Sequence, residues 1–531
     1  MISRRQSLLW GAAALATSAA PVRRAHAAQG ALTVRYGSAA SDDHTYDPRI
    51  TMMGTEEQII VQVFDRLVAI DAANQVRPYL AKSWVVAEDF RSVSLQLRED
   101  VTFHDGTAFD AAAVKFTFDS IVDPATGSLG AIDVIGPYAG SDVLGSHTIR
   151  LRYRAPFPRM LSALADNKAS IVSPTAARAL GVTAFGHAPV GTGPFRFVSW
   201  TQGVEVVLER NPAYHWAPEF LPQQPPQAER VVHRFIPNTA TRVAALDAGE
   251  IDICEQAPPL DVRRMTATPQ YHSLIGNSLG VPYGFSLNTS RGRFADLAVR
   301  RAFMQSINRP WISDNLFFGI VKPAWGPLAA SAPEYWSGVR EYYPFDLAAA
   351  ARLLAEAGWQ PGADGIRQKD GQRLALFLPI LLEPRIGVVL QADARKAGFD
   401  LKIEQVTHER QEELIFANDY DLLSLHWGLN DASVLEVPFL STNVPAPGQF
   451  TFNWSRYRSA ALDRLLRDAA ASSGAQRLSG YAEIQKEIMD QALFLPIHEV
   501  AYNVVYSHHV AGLRLAHGNS QTLLAAATAA T

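Results

Sequence analysis

Apolar and polar side chains alternate with period two in four runs: Leu32, Val34 and Tyr36; Val93, Leu95 and Leu97; Ile149, Leu151 and Tyr153; Val204, Val206 and Leu208. This pattern predicts half-buried β-strands. Arg150, Arg152 and Arg154 occupy the opposite face of the third run, which reads as a solvated sheet face rather than a nucleic-acid stripe. Between the strands the period changes to that of helices. Asp110 is placed to cap a helix through Val122, with Val114, Phe118 and Ile121 on one face. Thr239 or Thr241 opens a short helix that stops at Gly249, and a strand over Glu250–Cys254 follows. Asp346 caps a helix closed by Gly358. Another over Ile386–Ala397 stops at Gly398 before a strand through Leu401, Ile403 and Val406. Two more helices are expected at Ser459–Ala471 and Ala475–Gln491. Helix, glycine stop, then strand is the rhythm of α/β layers. The proline-rich run 218–226 reads as a surface loop, no internal repeat is visible, and the alanine-rich end 522–531 is expected to fray.

The first residues break this pattern. Arg4 and Arg5 precede an apolar run from Leu8 to Ala20, and Ala25-His26-Ala27 offers an A-x-A cleavage pattern. Residues 1–28 therefore read as an export signal, cleaved near Ala27/Ala28, whose apolar run is too short to span a bilayer. The arginine pair suits the twin-arginine route, and the mature part is expected in the periplasm. Removing residues 1–28 leaves 503 of the 531 residues, more than one hydrophobic core normally serves. It also removes four of the 48 basic side chains and none of the 52 acidic ones, so the net charge moves from −4 to −8. That balance argues against nucleic acid as a partner. Cys254 is the sole cysteine, so no internal disulfide or thiolate cluster can form, and its apolar strand setting reads as an inert core thiol.

Catalytic signatures are sparse. Gly276-Asn277-Ser278-Leu279-Gly280 fits G-x-S-x-G, but the chemistry needs that serine on a strand-to-helix turn, and Pro282 opposes a helix there. An exported serine hydrolase using Ser278 is the alternative of another class. Gly191-Thr192-Gly193-Pro194 is half a dinucleotide loop whose proline removes a needed N–H. The 14 histidines form no H-E-x-x-H, and adjacent His508 and His509 would face opposite ways on a strand. No catalytic residue, resident metal or cofactor is expected, and binding is the better reading.

A series of segments runs along the chain: Tyr46-Asp47-Pro48, Val63-Phe64-Asp65-Arg66-Leu67-Val68, Leu80 to Trp84, Leu97 to Thr107 and Phe109 to Phe116. Gly191 to Phe195, Ala245 to Asp252, and Val299 to Phe303 follow in order. In their number and order these segments resemble the family 5 solute-binding proteins of ABC importers. The resemblance implies an α/β, two-lobe periplasmic-binding-protein fold (type II, the large cluster C form). It also implies an extra subdomain in the first lobe and a hinge of two crossings. The division expected is 29–276 for lobe I, with the inserted subdomain around 65–190, then 277–492 for lobe II, and 493–531 for the return to lobe I and the tail. The function implied is capture of a peptide or peptide-like solute by a monomer and its delivery to an inner-membrane ABC permease. A nickel or metal-chelate receptor using His426 or His44, or an opine receptor, is the alternative within the same fold. Trp427 is the leading ligand candidate, as a flat apolar wall. Peptide-binding relatives place an aspartate three residues after this Trp, where this chain has Asn430 followed by Asp431. Dipeptide-binding relatives place an arginine just before the helix near Ile386, and Arg385 is close to that position. His44, Tyr46 and Tyr283 complete the set.

Overall fold

The computed structural model describes residues 32–530 apart from Ser41, Asp42, Met53, His517, Asn519 and Ser520. The export signal expected at 1–28 lies outside the described residues. Among those described, no helix is long and apolar enough to cross a membrane.

The first lobe is built on a seven-stranded sheet. Its strand order is Tyr271–Asn277, Ala501–Ser507, Ile253–Glu255, Thr33–Ser38, Arg230–Phe235, Glu205–Arg210 and Phe195–Thr201. Thr33–Ser38 lies parallel to both of its neighbours, and Val34 and Tyr36 are fully buried on its inner face. All seven residues of helix Glu57–Val63 are buried. Four-residue spacing places Ile59 and Val63 on the face that packs into the core with Tyr36 and Val206. Gly193 N donates to Val63 O (2.9 Å) and Thr192 Oγ1 to Asp65 Oδ2 (2.9 Å), so the glycine-rich loop is a packing turn at this helix's end.

A four-stranded antiparallel sheet, in the order Ala81–Val86, Ser92–Leu97, Thr148–Tyr153, Tyr138–Gly145, carries its own core. Helix Ala111–Val122 covers one face, and Asp110 Oδ1 accepts from Ala113 N (2.9 Å) as its cap. On the other face Arg150 donates to Ser94 Oγ and Arg152 pairs with Asp142, so the basic row is a solvated sheet face.

The second lobe centres on Gly280–Leu287, flanked by Leu422–Gly428 and Phe494–His498, with Ala375–Ile380 parallel to Asp400–Gln405. Every residue of Gly280–Leu287 is buried, because separate apolar clusters cover its two faces. Helices Leu347–Glu356, Pro384–Ala397, Ala460–Ala470 and Gly474–Asp490 lie where the sequence periodicity puts them.

Helix Thr239–Asp247 opens at Thr239 as expected, with Asn238 as its cap, whose Oδ1 accepts from Thr241 N (2.9 Å). Other expectations need correction. His508 and His509 sit on a turn rather than a strand, which brings their ring centroids to 4.0 Å. The C-terminal segment is not frayed: Thr522–Leu523 pairs with Arg514–Leu515 and Thr528–Ala529 with Val510–Ala511, and the small Ala526 and Ala527 are buried. Phe494–His498 pairs with Gly280–Leu287, and Glu499 and Val500 connect it to Ala501–Ser507 of the seven-stranded sheet.

Candidate functional site

Two extended segments join the lobes. Tyr271–Asn277 leaves the first sheet through Ser278 and Leu279 to become Gly280–Leu287. Phe494–His498 comes back through Glu499 and Val500 to become Ala501–Ser507. Ser278 N donates to Val500 O (2.8 Å), tying one crossing to the other. The segment 322–331 of the second lobe braces both: Glu499 N donates to Lys322 O (2.8 Å), Ala330 N to Glu499 Oε1 (3.2 Å) and Ala329 N to Gly280 O (2.8 Å). Gly280 has φ +107°, and a Cβ there would meet Trp427 O at 2.2 Å, so the crossing needs glycine.

Glu499 is 4% exposed, and burial pushes its carboxyl up to about 7, against the backbone bond from Ala330 and the field of Arg340. Its Oε2 has no partner among the described residues. The neighbouring His498 ring stacks on Tyr283 (5.0 Å, 10°) and packs on Phe317, with Nδ1 bonded to Glu499 O (2.8 Å).

Beside the crossings a cavity of about 350 Å³ opens in the first lobe, where the second lobe meets it at Asn430. Its first-lobe wall includes Arg66, Ile70, Phe220, Leu274 and Asn277. Arg514 and Gly518 of the C-terminal segment and Asn430 of the second lobe complete it. Gly518 has φ +79°, and a Cβ there would lie 2.7 Å from Asn430 Oδ1, so the tail backbone presses against the second lobe. Arg66 is half-buried. One guanidinium nitrogen bonds Asn167 Oδ1, and its Nε is buried with no partner. Asn167 in turn donates to Glu57 Oε2 (3.0 Å), which also accepts from Gln521 (3.3 Å), and Lys168 closes an ion pair with the same carboxylate. This polar floor runs from the start of helix Glu57–Val63 to the tail. The Asn74 side chain adds a bridge between lobes, donating to Ser331 O (3.1 Å).

Most of the candidate residues lie outside the lining of this cavity. Asn430 is in its wall. Asp431 is engaged elsewhere: Oδ1 caps the turn at Ala432–Leu435 through Ser433 N (2.9 Å), and Oδ2 pairs with Arg477 (2.8 Å), which also holds Glu334 (2.6 Å). Trp427 is half-buried, with its ring 4.6 Å from Phe452 on the second lobe's own core and outside the cavity lining. Arg385 is exposed and pairs with Glu383 (3.1 Å). Tyr283 donates to Leu382 O (3.2 Å) and lies 6.1 Å from the ring of exposed His426. His44 is exposed in a separate depression of the first lobe beside His187 and Trp200, its N–H given to Glu56. Tyr46 is fully buried, packs on Trp200 (4.9 Å) and donates to Asp43 (2.9 Å). Its ring packs in the first-lobe core. Among the described residues no three or more His, Cys, Asp or Glu side chains are grouped to hold a metal ion. Ser278 lies between two strands, not on a strand-to-helix turn, and its Oγ donates to Leu279 O (3.2 Å). Cys254 is buried, with its thiol pushed up to about 11, which makes it inert. Sequence reading missed Arg66, Asn277, Arg514 and Glu499. Arg66 stood inside a recognised segment as an unremarked polar residue, and no local signal marked the other three.

The family model for bacterial extracellular solute-binding proteins, family 5 Middle, matches residues 75–443. The nickel-binding periplasmic protein of Escherichia coli (strain K12) is 27% identical over 470 residues, covering 85% of this chain and 86% of that protein. The probable D,D-dipeptide-binding periplasmic protein DdpA of the same organism is 27% identical over 490 residues, covering 89% of this chain and 90% of that protein. The crystal structure of NikA from Brucella suis in complex with Fe(III)-EDTA superposes with a TM-score of 0.80 at 27% identity, over 94% of this chain and 99% of that one.

Proposed function

The chain belongs to the bacterial extracellular solute-binding proteins of family 5, and from that premise we propose that it captures a peptide-like small solute between its two lobes for an ABC permease. The observation that carries this reading is the cavity of about 350 Å³ at the foot of the two-strand hinge, walled by the first lobe and the tail and met by the second lobe at Asn430. A volume of that size is ordinary for a small-molecule site. A solute touching both walls stabilises the closed arrangement, and the closed arrangement is what a permease can read. The chain performs no chemistry on the solute; Ser278 lacks the setting of a nucleophile. It works as a monomer in the periplasm, delivered by the leader 1–28 through the twin-arginine route. Replacing Arg4 and Arg5 by lysine stops export if that route is used and is tolerated otherwise.

The test is a solute screen read by thermal shift and small-angle scattering. A true solute raises the melting temperature and shrinks the radius of gyration. A solute that binds tightly and does neither refutes closure. A metal-chelate cargo is the second reading, favoured by the likeness to NikA with Fe(III)-EDTA. Native mass spectrometry and metal analysis of the freshly purified protein separate the two.

A further inference from the structure

The wall of the cleft cavity carries two guanidinium groups, Arg66 and Arg514, and no carboxylate among its described residues. Neither arginine makes an ion pair there. Arg66 gives one N–H to the Asn167 amide oxygen and keeps Nε buried without a partner, and Arg514 donates to Phe220 O (2.6 Å). The carboxylates nearest in sequence are already committed. Asp65, adjacent to Arg66, is fully buried and accepts from Tyr79, Thr192 and Trp216. Asp431, adjacent to Asn430, is held by Arg477 and by the turn it caps. The remaining polar walls are the amides of Asn277 and Asn430. This lining, with two guanidinium groups and no carboxylate, belongs to a chain whose part after residue 28 carries a net charge of −8.

Resting on the receptor reading above, we infer that the solute is an anion, a compound with at least one free carboxylate and no compulsory ammonium, oriented by Arg66 with Arg514 at the rim. A guanidinium with an unused buried N–H forms a charge-assisted bond to a carboxylate and loses little by doing so. A free ammonium entering the same cavity meets two guanidinium groups and no carboxylate among the described lining residues; the buried Asp65, which feels the Arg66 charge, lies outside that lining, so the arrangement works against binding.

The test uses three matched probes: N-acetyl-Ala-Ala (net −1), Ala-Ala (zwitterion) and Ala-Ala amide (net +1), with citrate and EDTA as larger anions. Calorimetry gives affinity, and scattering on the same samples reports closure. The expected order is anion over zwitterion over cation, with at least tenfold between the first and last. Arg66→Gln lowers anion affinity at least tenfold, Arg66→Lys recovers part of it, and Arg514→Gln, an exposed change that leaves the fold intact, lowers it by a smaller factor. Higher sodium chloride weakens anion binding further. Equal or better binding of the amide, unchanged anion affinity in a folded Arg66→Gln protein, or no binding by any anion of the set would overturn the inference. If the amide or zwitterion closes the protein while the anions do not, the charge assignment fails and the receptor reading stands. If no solute closes it, the receptor reading is what fails.

Discussion

The hinge carboxylate leads to the most quantitative prediction. Glu499 lies in the return crossing with one oxygen bonded to Ala330 N and the other without a partner, and burial raises it from 4.5 to about 7. Arg340 is the charged group whose field reaches it, and that field opposes the shift only weakly. A carboxylate whose folded value lies above its unfolded value disfavours the folded state once it must ionise. Below pH 4.5 the group is protonated in both states and has no effect. Between 4.5 and about 7 the unfolded chain sheds its proton first, so stability falls as pH rises, and above about 7 the loss is complete. The gap from 4.5 to about 7 corresponds to about 3 kcal/mol, and about 2 kcal/mol of it falls between pH 5 and pH 8. Glu499→Gln removes the titration while keeping the shape, so the variant lacks this downward slope whatever its absolute stability. The assay is thermal unfolding of both proteins at half-unit steps from pH 5 to pH 8 in one buffer ionic strength. The melting temperature of the parent is expected to drop relative to the variant as pH rises, with the difference levelling above pH 8. Because the same group braces the hinge, solute affinity of the parent alone should also fall over that window. Parallel melting curves would refute the reasoning, since they would mean that the carboxylate is hydrated and titrates normally.

Other outcomes follow from single contacts. Gly280→Ala forces a Cβ against Trp427 O at a φ of +107°, and urea unfolding should register a loss of at least about 2 kcal/mol with weakened closure in scattering. Arg477→Ala strips Asp431 and Glu334 of their shared cation in an 11%-exposed setting, so a destabilisation of about 3 kcal/mol is expected, along with a shifted Asn430 loop and reduced solute affinity. Trp427→Ala removes a half-buried ring from Phe452 and should lower stability by about 2 kcal/mol. Ser278→Ala should leave melting within about 0.5 kcal/mol and leave any trace ester hydrolysis unchanged, because its hydroxyl contacts only a neighbouring carbonyl.

Legibility in the sequence followed the range of the interaction. Alternation such as Val93, Leu95, Leu97 and caps such as Asp110 depend on neighbours within a few positions, and both appear in the structure as read. The Asn238 cap was missed because two threonines offered the same chemistry one and three positions later. Tyr46 packs against Trp200, and nothing local distinguishes an aromatic ring on a cleft wall from one in such a setting. The cavity was the least legible feature. Arg66, Asn277, Asn430 and Arg514 meet from four distant parts of the chain, and a charge without a counter-charge is a property of the assembled space, not of any segment. The buried Glu499 had the same difficulty: its strand neighbours look ordinary, and only the brace from 322–331 removes it from water.

The bonds between the tail and helix Glu57–Val63 set an order of events in the making of the protein. Gln58 exchanges hydrogen bonds with Thr522 across 464 positions, Gln62 donates to Thr522 O across 460, and Leu524 N donates to Gln62 (3.2 Å). On a ribosome the helix is made about 460 residues before its partner strand, so these glutamines must wait, solvated or misengaged, until that strand emerges. Loop closure over such a span is slow compared with the local pairing inside the second lobe. The second lobe can therefore condense while the first is still short of a wall, and the domain that begins synthesis is the one that ends assembly. A carrier or channel that meets the chain before release meets an unfinished first lobe.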